Sequence, residues 1–307
     1  MTHLVLALDF GGTKLSAALF DRAEHHDGRP RRLDLRREWT AAGADADSEW
    51  STMLRLARGM LAGRAPAAVG VSFGGPVDHD AGLVRLSHHV RGWENIPLRD
   101  RLMAEFDAPA VVDNDANVAA LGEWRFGAGR GVDDLLYITV STGVGGGWVL
   151  GGRPWRGHDG MAGEIGHTVV DPAGPVCLCG KRGCVERLAS GPFMAADYEE
   201  AKGRKEDGEA MTGRDMAEAA ASGDELAQAF LLRGAWALGA AIGNAANLAN
   251  PQRFILGGGV TKSGEAWWVE VRRAARATAL PEVRFDIVPA ELGDDAPLWG
   301  AVALTDL

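Results

Sequence analysis

All three cysteines of the chain, Cys177, Cys179 and Cys184, fall within eight residues, and His167 lies ten residues before the first of them. One imidazole and three thiolates form a closed four-ligand set of the kind that holds a tetrahedral Zn2+. Glycines at 180 and 183 give the segment turns with which to fold its ligands round an ion. Four protein ligands leave no open coordination position, so the expected metal is structural and not catalytic. Three buried, unliganded thiols are the plainer alternative, and the compact spacing favours the metal. Two carboxylates, Glu164 and Glu186, flank the same ligands. A purely structural site has no use for them, and they point to a pocket where polar groups meet a small molecule.

Three glycine turns each follow a short apolar run. In Asp9-Phe10-Gly11-Gly12-Thr13-Lys14 the glycines let backbone N–H groups approach an anion, Thr13 adds a hydroxyl and Lys14 a charge. Asp9 is a candidate for holding a hydrated Mg2+ against phosphates. The same hexapeptide fits an ordinary hairpin turn equally well. It is neither a GxxxxGK[ST] loop nor a GxGxxG opening a helix, which disfavours those nucleotide folds. Thr142-Gly143-Val144-Gly145-Gly146-Gly147 is a second candidate phosphate loop. Gly257-Gly258-Gly259 is a third turn, suited to a flat adenine or ribose lying close to backbone. Each alone is a weak signal; three together, each after a strand-like run, argue against chance.

Asp113-Asn114-Asp115-Ala116-Asn117 sits between an apolar run and a helical stretch. The local expectation is that one of its acids caps the helix. The functional alternative has Asn114 hydrogen-bonding a polyol while Asp115 accepts the proton of its hydroxyl.

The elements that must carry these turns are legible in the periodicity. Strands are expected over 4–9, 15–20 and 33–39 as a meander, a helix over 48–61, and a strand over 67–73. A helix over 98–106, a strand over 110–113 and a helix over 116–126 follow. Strands over 135–140 and 147–150 then repeat the opening, a strand running into a Thr-Gly loop, which hints at two related halves. Beyond 212 the chain reads as largely helical, interrupted by a strand over 253–256. The charged stretch 198–213 reads as an exposed insertion. The apolar stretch 234–249 is rich in Ala and Gly and contains Asn244 and Asn247, which favours a buried helix over a membrane span.

With 307 residues the chain is long enough for two domains. Its hydrophobic share of 46% and charged share of 24% are those of an ordinary globular protein. A formal charge of −10 and a pI near 5.3 argue against a general nucleic-acid or anionic-membrane binder. The first nine residues lack a basic leader and read as a strand, and three clustered cysteines make no disulfide framework. A reduced, cytoplasmic setting is expected.

Taken in order, Asp-x-Gly-Gly-Thr-Lys from Asp9, Gly-Pro-Val-Asp over Gly75 to Asp78, Asn-Asp-Ala-Asn from Asn114, Thr-Gly-x-Gly-Gly-Gly from Thr142, Glu-x-Gly-His from Glu164 and Cys-x-Cys-Gly-x-x-Gly-Cys-x-Glu from Cys177 resemble the ROK family of sugar kinases and related repressors, within the actin-like ATPase superfamily. The resemblance spans Asp9 to about Ala303. It implies an α/β fold of two actin-like (ribonuclease H-like) domains with a cleft between them. The smaller lobe would be 1–113, joined by a C-terminal helix over 298–307, and the larger lobe 114–297 would carry the zinc site. It further implies Asp115 as general base towards a hexose hydroxyl, with Gly75, Asn114, Glu164, His167 and Glu186 around the sugar. His167 would serve both metal and sugar. Asp9, Gly11, Gly12, Thr13 and Lys14 from one lobe and Thr142 and Gly143 from the other would face the phosphates, with Gly258 and Gly259 near the adenosine. ATP, Mg2+ and a structural Zn2+ are the implied cofactors, and a homodimer or homotetramer the implied assembly. The Glu-Ile-Gly-His version resembles the glucokinase branch; N-acetylmannosamine, N-acetylglucosamine and fructose are alternative acceptors. The family's repressors carry a DNA-binding domain ahead of the first loop, for which eight residues before Asp9 leave no room. Three departures stand out: Phe10 for an aliphatic residue, Gly74-Gly75-Pro76 for Pro-Gly-Pro, and His89 where many relatives carry Asn. His89 bears on substrate preference if its segment lines the sugar site; otherwise His88 and His89 are surface residues.

Overall fold

The computed structural model describes residues 3–87, 89–203, 205 and 209–307. Two five-stranded sheets organise them. The first half runs β1 (Leu4–Phe10), β2 (Lys14–His26), β3 (Arg29–Trp39), α1 (Ala46–Leu61), β4 (Ala68–Phe73), the short strands β5 (Val77–Asp78) and β6 (Leu83–Val84), α2 (Leu98–Phe106), β7 (Ala110–Asn114) and α3 (Asp115–Phe126). The second runs β8 (Leu135–Val140), β9 (Val144–Leu150), β10 (Arg153–Trp155), α4 (Val185–Ala189), α5 (Gly191–Lys202), α6 (Gly213–Ala221), α7 (Glu225–Ala249), β11 (Arg253–Gly257), α8 (Glu265–Thr278), β12 (Asp286–Pro289) and α9 (Ala296–Leu304).

The sheets share one topology, β3-β2-β1-β4-β7 and β10-β9-β8-β11-β12. In each, the first three strands form an antiparallel meander and the remaining two join in parallel. The echo between the two glycine turns is therefore the trace of a repeated sheet. β1 is buried on both faces, so its apolar residues are nearly continuous. Leu6, Leu8 and Phe10 pack with Met53, Leu56 and Met60 of α1, whereas Val5 and Ala7 pack with Leu298 and Val302 of α9. The final helix thus lies on the first sheet. It also crosses α3 closely: a Cβ on Gly300 would stand 1.7 Å from the Val118 carbonyl oxygen, so only glycine admits that approach.

The second sheet is backed by a core that joins Leu136, Ile138 and Phe254 to α7 and α8. Among the described residues α7 alone is long and apolar enough to span a membrane, and 61% of its most apolar window is buried in the fold. The stretch expected as an exposed insertion begins inside α5, where Tyr198 is buried and its hydroxyl donates to Asp224 at 3.0 Å. Part of that stretch lies outside the described residues, as does His88.

Candidate active site

The corner between β7 and α3 gathers several side-chain hydrogen bonds. Asn114, not an acid, is the N-cap of α3: its Oδ1 accepts the Ala116 N–H at 3.0 Å and the Asn117 N–H at 3.4 Å. The expectation of an acidic cap is corrected by the backbone, which is extended at residue 114 and helical from 115. Its Nδ2 donates to the Gly75 carbonyl at 3.1 Å, tying two of the expected sugar-site residues together. Asp115 is left free at the first helical position, where its carboxylate accepts the Ala116 N–H at 2.8 Å. It is half-buried. Burial pushes it up to about 6; the hydrogen bonds from Ala116 and Asn114 and nearby His89 pull it back, and Glu164 pushes it further up.

Asp113 is 2% exposed and stiffens this corner. Its Oδ1 accepts the Asn114 N–H at 2.8 Å and Asn117 Nδ2 at 3.3 Å, and its Oδ2 accepts Arg156 Nε at 2.7 Å. His79 Nδ1 stands 3.7 Å from the same oxygen and 3.0 Å from the Val112 carbonyl.

The first glycine turn joins β1 to β2. Parallel pairing of β1 with β4 sets Asp9 beside Ser72, whose hydroxyl donates to Asp9 Oδ1 at 2.8 Å. Burial pushes Asp9 up to about 7; the Ser72 bond opposes this, and the Asp115 charge adds to it. Gly11 N–H donates to the Lys14 carbonyl at 3.2 Å, closing the turn. The His89 ring lies on Gly12, where a Cβ would stand 2.5 Å from its Cδ2. That segment is anchored by Trp93, which is fully buried between Phe10 and Phe73 and donates from Nε1 to Glu49 at 2.7 Å. Phe10 accordingly packs edge-on against Trp93, centroids 5.4 Å apart.

The second glycine turn joins β8 to β9 and is closed by Ser141 N–H to the Gly143 carbonyl at 2.8 Å. Thr142 and Gly259 are exposed, and Gly258, at φ 92°, lies against the Val140 carbonyl. Glu186, from the first turn of α4, accepts the Val144 N–H at 3.0 Å and so braces this turn. Gly191, at the start of α5, donates to the Ser141 carbonyl at 2.9 Å.

Glu164 and His167 belong to a short 3-10 turn pressed on β9. A Cβ on Gly166 would fall 2.0 Å from the Val144 carbonyl oxygen, so the glycine in Glu-Ile-Gly-His is a packing requirement. The ligand atoms of His167, Cys177, Cys179 and Cys184 all lie within 4.8 Å of one another. Cys177 Sγ is 4.0 Å from His167 Nδ1, and Cys179 Sγ is 3.6 Å from Cys184 Sγ. A tetrahedral zinc with Zn–S bonds of about 2.3 Å spaces its ligands by roughly 3.5–3.8 Å, so the set fits that ion. Burial, then the neighbouring thiols, push Cys184 up to about 12, while the Lys181 N–H draws Cys179 down. A divalent cation would relieve this crowding by taking the thiolates as ligands.

Ser72, Asp113 and Arg156 were not among the site residues expected from sequence. Nothing in their local spacing marks Ser72 or Arg156; an acid ending an apolar run immediately before Asn114 is the one sequence signal for Asp113.

The repeated sheets, with a glycine turn between the first two strands of each, define a two-domain actin-like fold with its polar groups gathered at those turns. The model of the ROK family matches residues 5–306, and the chain belongs to that family. It is 39% identical to a glucokinase of Halalkalibacterium halodurans over 248 residues, 76% of this chain and 74% of that protein. It is 36% identical to an N-acetylmannosamine kinase of Shigella flexneri, with 98% and 97% covered. Among solved structures, a ROK family glucokinase of Streptomyces griseus in complex with glucose and AMPPNP superposes with a TM-score of 0.81 at 34% identity, covering 98% of both chains.

Proposed function

We propose that the chain is an ATP-dependent hexose kinase, with glucose as its acceptor. The observation that carries this reading is Asp115, a carboxyl at a helix start, raised by burial to about 6 and close to Glu164. A base poised near neutral pH accepts a hydroxyl proton and still exists as carboxylate under working conditions. Family membership and the glucose- and AMPPNP-bound relative support the donor and acceptor classes.

In this reading Asn114, Glu164, His167 and Glu186, with the backbone at Gly75, hold the sugar hydroxyls. Asp115 takes the proton of the attacking hydroxyl, whose oxygen bonds the γ-phosphorus as the bond to the ADP oxygen breaks. Gly11, Gly12, Thr13 and Lys14 face the phosphates from the first sheet, Thr142 and Gly143 from the second, and Gly258 and Gly259 lie by the adenosine. Mg2+, when bound, neutralises phosphate charge, and Asp9 would hold it. The protein's own work is alignment and exclusion of water. His167 offers Nδ1 to the cysteine cluster, which leaves Nε2 for the sugar. The cluster is a structural zinc site that shapes the acceptor pocket. The lobes divide as 1–113 with 298–307 and 114–297, and the protein works as a cytoplasmic homodimer or homotetramer.

The 36% identical N-acetylmannosamine kinase supports a second acceptor class, and His89 over Gly12 is where the choice would be made. A coupled ADP-release assay across glucose, mannose, fructose, N-acetylmannosamine and N-acetylglucosamine tests both. Highest kcat/KM on glucose is expected. Preference for an N-acetylhexosamine sustains the second reading, and no turnover on any sugar overturns the kinase.

A further inference from the structure

We propose that Arg156 is a positioning residue that sets the base and the acceptor-binding loop from one side chain; this rests on the kinase reading above. Arg156 directly follows β10, an edge strand of the second sheet, and Asp113 lies in β7, an edge strand of the first. The Nε to Oδ2 contact of 2.7 Å therefore ties the two sheets together beside Asp115. The two side chains are 20% and 3% exposed, so the pair is shielded from water and salt.

The tie reaches the base through a short chain of contacts. The Asp113 carboxylate that Arg156 grips also receives the Asn114 N–H and Asn117 Nδ2, one on each side of Asp115. Its orientation fixes the β7–α3 corner. On the other side, the Arg156 carbonyl accepts the Ala162 N–H at 3.0 Å. That bond closes a loop that leads through Gly163 into Glu164. One residue thus registers the proton acceptor against the carboxylate expected to hold the sugar. His79 stands 3.7 Å from the shared oxygen, and its Nδ1 is already 3.0 Å from the Val112 carbonyl, so it replaces the arginine only in part. Arg156 Nη2 is buried with no hydrogen-bond partner among the described residues. The tie consequently uses one N–H donor, which a lysine supplies too.

Steady-state kinetics test this. Arg156→Met should lower kcat about 10- to 100-fold, the scale expected when a reacting group is misplaced by an ångström or less. Hexose KM should rise several-fold while ATP KM stays within about two-fold, because neither glycine turn is touched. Arg156→Lys should recover most of kcat. Asp113→Asn, which sets an NH2 against the arginine, should lose as much as Arg156→Met. The double variant should be no worse than the poorer single one, since both act on one contact. A residue that only held the fold would lower the melting temperature and leave the hexose and ATP constants of the folded enzyme unmoved. Kinetics of Arg156→Met within two-fold of wild type, or losses that multiply in the double variant, overturn the proposal. Should Arg156→Met fail to fold, unchanged hexose kinetics in Asp113→Asn overturn it instead. A wild-type chain inactive on every sugar overturns the kinase reading and the base-positioning claim with it, whereas an active wild type with an unaffected Arg156→Met overturns only the latter.

Discussion

The two sheets have the same strand order but equip their glycine turns differently. In the first, Phe10 pairs with Leu15 at the mouth of the hairpin and the residue before it is Asp9. In the second, Val140 pairs with Val144 and the residue before it is Thr139. A buried acid in the first sheet thus corresponds in position to a neutral hydroxyl in the second. Their braces differ too. The first turn is covered by His89 on a segment pinned by the buried Trp93–Glu49 bond; the second is held by Glu186, which follows the cysteine cluster by two residues. In the proposed kinase reading the repeated scaffold is specialised: the first turn would suit a metal-bound phosphate through Asp9, and the second has Thr139 at the equivalent place. In that reading both turns approach the phosphates, the first with the Asp9 carboxylate bonded to Ser72 and the second with the Glu186 carboxylate occupied by the Val144 N–H.

Asp115 stands where the halves meet, and its loss should be the largest effect. Asp115→Asn should lower kcat by about 10³-fold, within the range for losing a general base, and leave hexose affinity within a few-fold. Near-normal turnover in a steady-state assay removes Asp115 from the chemistry. Next comes the asymmetry itself. Asp9→Asn should cost on the order of 10²-fold in kcat and demand more Mg2+, as expected when a metal-holding group is lost. Thr139→Val, its counterpart, should cost less than about three-fold. Equal losses at the two positions would make the turns equivalent and erase the comparison. Smaller still is the effect on the second brace. Metal analysis should find roughly one zinc per chain, as a closed Cys3His site requires. If the zinc holds Glu186 and His167 in place as proposed, stripping it, or Cys184→Ser, should raise hexose KM by about ten-fold, with less change in ATP KM. A chelated enzyme with unchanged hexose KM would detach the cluster from the acceptor pocket.

How far the sequence led differs between turns and ties. The glycine turns, the Cys3His cluster and the Asn114-Asp115 corner are local patterns, and their residues lie where strand ends and helix starts present them. The missing pieces are contacts between distant strands. Ser72 reaches Asp9 because β4 pairs with β1 in one particular register, which no spacing within either strand encodes. Arg156 reaches Asp113 because two edge strands of different sheets come together. Element limits also shifted where tertiary contacts overrode local composition: β2 runs on to His26, although the expected strand ends at 20, because β3 pairs with it across two register shifts. α5 claims Tyr198 because the ring is buried and its hydroxyl bonded to Asp224. The cap at Asn114 was hidden by two flanking acids that are equally good caps in isolation.

A further predicted effect is on stability, and it isolates the charge asymmetry from catalysis. Asp9 has a folded-state value of about 7 against an ordinary 3.8. Between those values the folded protein keeps a proton that the unfolded chain has released, so this group's contribution to stability falls as pH rises through the window. Above about pH 7 the native state carries the full cost of a buried carboxylate. Asp9→Asn removes that titration while keeping the shape and a partner for Ser72. The variant should be more stable than wild type at about pH 8 by up to about 4 kcal/mol, and the gap should close towards about pH 4. Thr139→Val should show no pH-dependent gap. Urea melts of the three proteins, without nucleotide, at several pH values measure this directly. Adding Mg2+ and ATP should shrink or reverse the gap, since only the wild type gains binding energy from the metal at Asp9. A gap that stays constant with pH, or a wild type more stable at about pH 8, would mean that Asp9 sits as comfortably ionised as Thr139 sits neutral, and the two turns would differ in sequence alone.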